Sequence, residues 1–184
     1  MMEFTQIPEI ETHRLKMRGF TPDDLDDLCL IFGDPDVMKY IAGGRTRSRE
    51  ETEQGLLRTI AGFRDRGFGL WALEQKGVGS VIGYCGLTYL DGTTQIELAY
   101  GLAKAYWGDG FATEAARATL KYGFSTLKLE RIVAVVYPDN YPSRRVVEKL
   151  GMLNKGLVHH YNAELICYEL KREDLSDDGG PGRA

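Results

Sequence analysis

The sequence predicts a single mixed α/β domain built on one mostly antiparallel sheet flanked by helices. Three observations lead there. Three strand-like runs, Gly69 to Gln75, Val78 to Leu90 and Thr94 to Leu102, are separated by the turn signals Lys76-Gly77 and Asp91-Gly92, the pattern of an antiparallel meander. Segments with apolar residues at helical spacing alternate with strand runs before and after that meander. The 184 residues are enough for one hydrophobic core and contain no linker or internal repeat that would divide them.

The elements follow in order. Arg14 to Phe20 alternates as a first strand. Thr21-Pro22-Asp23-Asp24 opens a helix: threonine caps, proline occupies the first helical position, and the acids suit the positive end. Leu25, Leu28, Ile31 and Phe32 form its apolar face, and Gly33-Asp34-Pro35-Asp36 breaks it, with a further turn over Val37 to Ile41. After Ala42-Gly43-Gly44, Ser48 caps a helix to about Arg66 whose apolar positions are Leu56, Leu57, Ile60 and Phe63. Beyond the meander, Thr113 to Leu127 is helical, with Ala116, Leu120, Phe124 and Leu127 on one side. Arg131 to Val136 is a β-branched run typical of a buried strand. Pro142 to Leu150 is a short helix stopped by Gly151. Met152 to His160 and Leu165 to Leu170 are the last strands, joined near Tyr161-Asn162-Ala163. Residues 1–175 are read as the folded domain, and the polar, glycine-rich 176–184 as a disordered tail.

The most informative stretch is Tyr106-Trp107-Gly108-Asp109-Gly110-Phe111-Ala112-Thr113-Glu114-Ala115, between a strand and a long helix. Two glycines at a helix start, with small alanines behind, leave backbone N–H groups open to a ligand. The first turn of a helix has unpaired donors and roughly +0.5 charge, so it attracts an anion. No Gly-Lys-Ser/Thr follows, so the loop is not built for a metal-bound triphosphate. A diphosphate held by backbone alone fits better, which points to a nucleotide-tailed cofactor such as coenzyme A.

Composition excludes other classes. A formal net charge of −4 provides no basic surface for nucleic acid. No apolar run approaches ~20 residues, so no membrane span is expected. Glu3, Glu9 and Glu11 do not form a signal-peptide pattern, which favours a cytoplasmic protein. Cys29, Cys85 and Cys167 lie scattered in apolar segments and read as free buried thiols. His13, His159 and His160 have no zinc spacing with them, so no metal is expected.

Across nearly its whole length the chain resembles the GNAT superfamily of N-acetyltransferases, and within it the branch of ribosomal-protein alanine N-acetyltransferases. Three segments carry the resemblance. Glu11-Thr12-His13-Arg14-Leu15-Lys16-Met17-Arg18 is similar to the branch's opening "T-x-R-L-x-x-R" strand. Ile96 to Leu102, followed by W-G-D-G-F-A-T-E-A, resembles its cofactor-binding core. Asn140-Tyr141-Pro142-Ser143 with Val147-Glu148-Lys149-Leu150-Gly151-Met152 resembles its "N-x-x-S-x-x-v-x-E-K-L-G-F" segment. Trp107 stands where the wider superfamily often has Gln or Arg, Met152 replaces a usual Phe, and Ala163 ends an imperfect "Tyr-x-Asn-Gly" hairpin.

The resemblance implies a sheet with a splayed central strand pair, acetyl-coenzyme A as co-substrate and a primary amine as acceptor. That acceptor is either a protein N-terminal α-amine or a small amine such as a polyamine, amino acid or antibiotic. A coenzyme-A-binding sensor without turnover is the non-enzymatic rival, and monomer and homodimer stay open. The backbone of Leu98, Ala99 and Tyr100 would pair with the pantetheine arm in the gap before Arg131 to Val136. Gly101 is consistent with a bulge that opens this edge. Backbone amides from Trp107 through Gly108, Asp109, Gly110, Phe111 and Ala112 to Thr113 would hold the pyrophosphate. Asn140 either caps the next helix or faces the cofactor as well. Ser143 would assist the leaving thiolate, with Tyr141 as competitor, unless it only bonds backbone in the first helical turn. Glu97, on the strand face opposite Ile96, Leu98 and Tyr100, is the candidate general base, otherwise a structural carboxylate. His160 and Tyr161 would shape the acceptor pocket, and Lys104, Arg117, Arg144 and Arg145 are possible phosphate contacts outside this core set.

Overall fold

The computed structural model describes residues 7–174. The tail expected at 176–184 lies outside the described residues. Among these, eight strands form one sheet in the order β1-β2-β3-β4-β5-β6-β8-β7. The strands are β1 (Ile10–Glu11), β2 (Leu15–Arg18), β3 (Leu70–Gln75), β4 (Val81–Tyr89), β5 (Ile96–Leu102), β6 (Arg131–Val136), β7 (Leu153–His160) and β8 (Ala163–Lys171). Every neighbouring pair is antiparallel except β5 and β6, which are parallel and meet at one pair, Glu97 opposite Val133.

That single rung is the origin of the splay. On one side β5 is zipped to β4 from Tyr89–Ile96 to Gly83–Leu102. On the other it leaves β6 after Glu97, so the backbone beyond has no strand beside it among the described residues. The β4–β5 register runs without a shift through Gly101, so the bulge expected there does not exist. Gly101 is required for another reason. A Cβ at this position would lie 2.7 Å from the ring of Tyr84, its cross-strand partner.

Five α-helices cover the sheet: α1 (Leu25–Gly33), α2 (Pro35–Met38), α3 (Arg49–Arg66), α4 (Phe111–Ser125) and α5 (Tyr141–Lys149). Helix α3 begins with a reciprocal cap, in which the Ser48 hydroxyl accepts from the Glu51 amide (3.2 Å) and the Glu51 carboxylate from the Ser48 amide (2.8 Å). It ends at Gly67, whose φ of +77° is the left-handed stop that glycine supplies. Helices α1 to α3 bury Leu28, Ile31, Phe32, Met38 and Leu56 against one sheet face, together with Ala72, Val81 and Tyr84. Helices α4 and α5 bury Phe111, Leu120, Phe124 and Val147 against the other, where Trp71 is fully buried. The Trp71 ring meets Phe63 and Tyr122 edge-on at 4.9 and 5.1 Å. Strands β3 to β5, covered on both faces, therefore carry apolar residues at nearly every position.

Cys85 is buried, whereas Cys29 and Cys167 are half-buried, and all three are free thiols. No helix among the described residues is long and apolar enough to cross a membrane.

Candidate active site

The gap between β5 and β6 is the centre of the site, and three segments distant in sequence converge on it. The first is the loop from β5 into α4. Gly108 and Gly110 adopt φ of +87° and +82°, a left-handed conformation that would strain other residues. Helix α4 starts at Phe111, and its first intrahelical bond is Glu114 N–H to Gly110 O (3.0 Å), so the preceding amides have no acceptor within the helix. One expected member of this amide set is corrected. The Trp107 amide donates to Lys104 O (3.2 Å) and its indole to Leu102 O (2.9 Å), so Trp107 closes the turn and the open amides begin at Gly108.

The second segment braces that loop. The Glu114 carboxylate accepts from the Thr12 hydroxyl (2.6 Å), the Arg14 amide (2.8 Å) and Arg14 Nε (2.7 Å). Arg14 Nη1 donates to Asp109 O (2.9 Å), and its guanidinium lies over the Phe111 ring at 4.3 Å. Burial by itself would raise the Glu114 pKa, but the three donors outweigh it and hold it below the usual carboxylate range. Two of the motif segments are thus bolted together. A groove of about 540 Å³ beside this brace is lined by Gly110, Thr113, Arg117, Lys121 and Lys149. Lys104 instead pairs with Asp36 (2.5 Å), and Arg144 donates to Pro138 O (3.0 Å) and the Tyr168 hydroxyl (3.3 Å).

The third segment is the start of α5. Asn140 caps it, its side-chain oxygen accepting from the Ser143 amide at 3.2 Å. The Ser143 hydroxyl shares a 2.8 Å hydrogen bond with the Tyr100 hydroxyl across the gap, and Tyr100 also lies 3.2 Å from Ser143 O. Tyr141, the expected competitor, is 60% exposed, turned outward beneath the Arg144 guanidinium. The tyrosine that meets Ser143 is therefore Tyr100, a residue the sequence reading used only for its backbone. Burial holds its phenol well above the ordinary range.

Glu97 lies at the rung where β5 and β6 separate, on the strand face it shares with Ala99. It is 7% exposed, and its Oε2 accepts from the Tyr161 hydroxyl at 2.5 Å. Tyr161 belongs to the two-residue turn Tyr161-Asn162 between β7 and β8, with φ of +52° and +57°. Asp91 fixes this hairpin tip. Its carboxylate accepts from the Tyr161 amide (2.6 Å) and its amide donates to the Tyr161 hydroxyl oxygen (3.2 Å). Burial pushes the Glu97 carboxyl up to about 7, against the lowering effect of the Tyr161 hydrogen bond and with some help from the Asp91 charge. His160 sits 3.5 Å from Asp91 and acts on the same tip.

A buried carboxyl titrating near neutrality, a hydroxyl pair across the gap, an unpaired strand edge and a glycine-lined helix start together suit acyl transfer to an amine. The chain matches the Acetyltransferase (GNAT) domain over residues 14–153 and belongs to that family of acyltransferases. It is 33% identical over 166 residues to the uncharacterized protein YkkB of Bacillus subtilis (strain 168), covering 89% of this chain and 95% of that one. An uncharacterized N-acetyltransferase of Bacillus licheniformis, p20, is 32% identical over 155 residues, or 82% and 85% of the two chains. Among solved structures, the acetyltransferase (GNAT family) from Bacillus anthracis superposes with a TM-score of 0.79 at 31% identity, covering 90% of this chain and 99% of that one.

Proposed function

We propose that this enzyme transfers the acetyl group of acetyl-coenzyme A to a primary amine by direct attack of the amine on the thioester. The observation that carries the reading is the separation of β5 from β6 after Glu97, directly before the open amides of the Gly108–Thr113 turn. The residues present fit the co-substrate. An unpaired strand edge at Leu98, Ala99 and Tyr100 suits the amide groups of the pantetheine arm as an added strand. The α4 start offers backbone donors to the pyrophosphate, and Arg117, Lys121 and Lys149 flank it with positive charge.

Acetyl-coenzyme A supplies the acetyl group as an activated thioester. The attacking amine must be neutral. An α-amine with a pKa near ~8 is roughly one-tenth neutral at pH 7, a lysine amine near ~10.4 only about one part in a few thousand. Glu97 receives the amine proton, directly or through a water, and the Tyr161 hydroxyl fixes its carboxylate by donating to it. Open β5 amides stabilise negative charge on the carbonyl oxygen. Ser143, bonded to Tyr100, donates toward the departing sulfur, while Asn140 keeps Ser143 in place through its amide.

Calorimetry with coenzyme A on Gly110→Val tests the reading. A Cβ at Gly110 meets only Arg14 Nη2, at 3.5 Å, so the protein has room to fold, and the left-handed φ costs about 1–2 kcal/mol. Coenzyme A affinity should fall at least about tenfold. Unchanged affinity moves the pyrophosphate elsewhere. Tight binding by the parent protein without thiol release for any amine turns the assignment into a sensor.

A further inference from the structure

On the Glu97 side of the sheet, a cavity of about 430 Å³ lies between α1, α3 and the floor of β3 to β5. Tyr84, Thr88 and Ala99 are part of that floor, and Thr88 is the cross-strand partner of Glu97. Glu97 does not itself line the cavity; it adjoins it through Thr88 and, two residues along β5, Ala99. The volume is of the order expected for a small-molecule site, within about 300–1,000 Å³.

Its charge has one sign. Arg47, Arg58 and Arg66 line it, and no Asp or Glu does so among the described residues. The neighbouring arginines are paired: Arg18 with Asp24 and Glu74, Arg45 with Glu51, and Arg49 with Asp26. The cavity arginines have no such carboxylate among the described residues. Arg47 instead stacks on the Phe32 ring at 4.5 Å, and Arg66 lies 5.8 Å from the centre of the Phe68 ring. The Arg47 charge reaches the cavity floor, where it opposes the burial that pushes the Tyr84 phenol up to about 12.

Two glycines of helix α3 lie beneath these guanidinium groups. A Cβ on Gly55 would lie 3.5 Å from Arg47 Nη1 and 4.0 Å from Arg58 Nη2, so the two cations converge over one glycine. A Cβ on Gly62 would lie 2.5 Å from Arg66 Nη2. A mid-helix glycine costs about 1 kcal/mol relative to alanine; at Gly62 its missing Cβ is where the Arg66 guanidinium lies, while at Gly55 a Cβ would make only ordinary contact. Three guanidinium groups without a carboxylate partner among the described residues ring one cavity, and their planar forks match carboxylate or phosphate oxygens.

We infer that the acceptor is a small primary amine bearing an anionic group, a carboxylate or a phosphate, which the arginines of this cavity hold while its amine faces Glu97. The inference rests on the acetyltransferase reading above and names its acceptor class. It disfavours polyamines, whose charge has the wrong sign.

Thiol release with acetyl-coenzyme A would be measured for amino acids with acidic side chains and for O-phosphoethanolamine. Counterparts with every carboxylate converted to a carboxamide, ethanolamine, spermidine and short C-terminally amidated peptides with free N-termini complete the panel. The expected result is a kcat/KM at least about tenfold higher for one anionic series than for its neutral counterparts. Whether carboxylates or O-phosphoethanolamine lead identifies the anion. Arg58→Glu, on the exposed side of α3, should raise KM for the preferred amine at least tenfold and leave KM for acetyl-coenzyme A within about twofold. Equal or better turnover of neutral amines, spermidine or peptides overturns the inference while sparing the acetyltransferase assignment. An Arg58→Glu enzyme with unchanged amine KM overturns it too. Turnover of no amine at all removes both.

Discussion

Burial of the Glu97 carboxyl and the hydrogen bond from Tyr161 push its proton affinity in opposite directions, and the hydrogen bond can be removed alone. With Glu97 near 7, kcat/KM for the amine should rise with pH through that ionisation and again through the amine's own. Glu97→Gln should lose roughly 10²-fold or more in rate, within the usual range for a general base, together with the lower inflection. Tyr161→Phe removes a donor that favours the carboxylate, so the lower inflection should move to higher pH. A Glu97→Gln profile that kept its lower inflection would assign the base to another group. Neither the Glu97–Tyr161 pair nor the Tyr100–Ser143 pair was visible in the sequence. Their partners are 64 and 43 residues apart, and strand parity places Glu97 on a face without saying what the distant hairpin brings to it.

At the scale of elements, the loop into α4 depends on a brace from the N-terminal segment. Arg14 is about one-third exposed, so its ion pair with Glu114 should contribute only up to about 1 kcal/mol to stability. Its positional effect should be larger, because it ties Asp109, Phe111 and Glu114 together. Arg14→Ala should therefore weaken coenzyme A binding about tenfold by calorimetry while lowering Tm by only a few degrees. A large drop in Tm with unchanged binding would make the brace purely structural. Elements whose signals are local were legible, as in the Ser48 cap, the β-branched Arg131–Val136 strand and the turn near Tyr161-Asn162-Ala163. The two-residue β1 was missed because so short a strand has no periodicity of its own and exists only by pairing with β2. The bulge assigned to Gly101 failed for a related reason. A glycine in a strand signals close approach, and only the fold shows that the approaching group is Tyr84.

For the whole molecule, the same carboxyl makes stability depend on pH. The folded state keeps the Glu97 proton up to about 7, while the unfolded chain releases it near the ordinary 4.5. The contribution is fully present below about 4.5 and is lost as pH rises through 7. Glu97→Gln should accordingly be more stable than the parent at pH 8, by at most roughly 3 kcal/mol, and gain little at pH 4. Denaturant titrations at the two pH values check this, and equal differences at both would rule out the linkage.

Because β5 and β6 share one rung, the sheet consists of a five-stranded and a three-stranded half, and the Tyr161 tip is a hydrogen-bonded tie between them. Native-state deuterium exchange should therefore resolve two cooperative units of unequal protection in the unliganded protein. Saturating thioester, by lending its arm as the missing rung, should fuse them into a single unit and slow exchange at the β5 amides that face the breach.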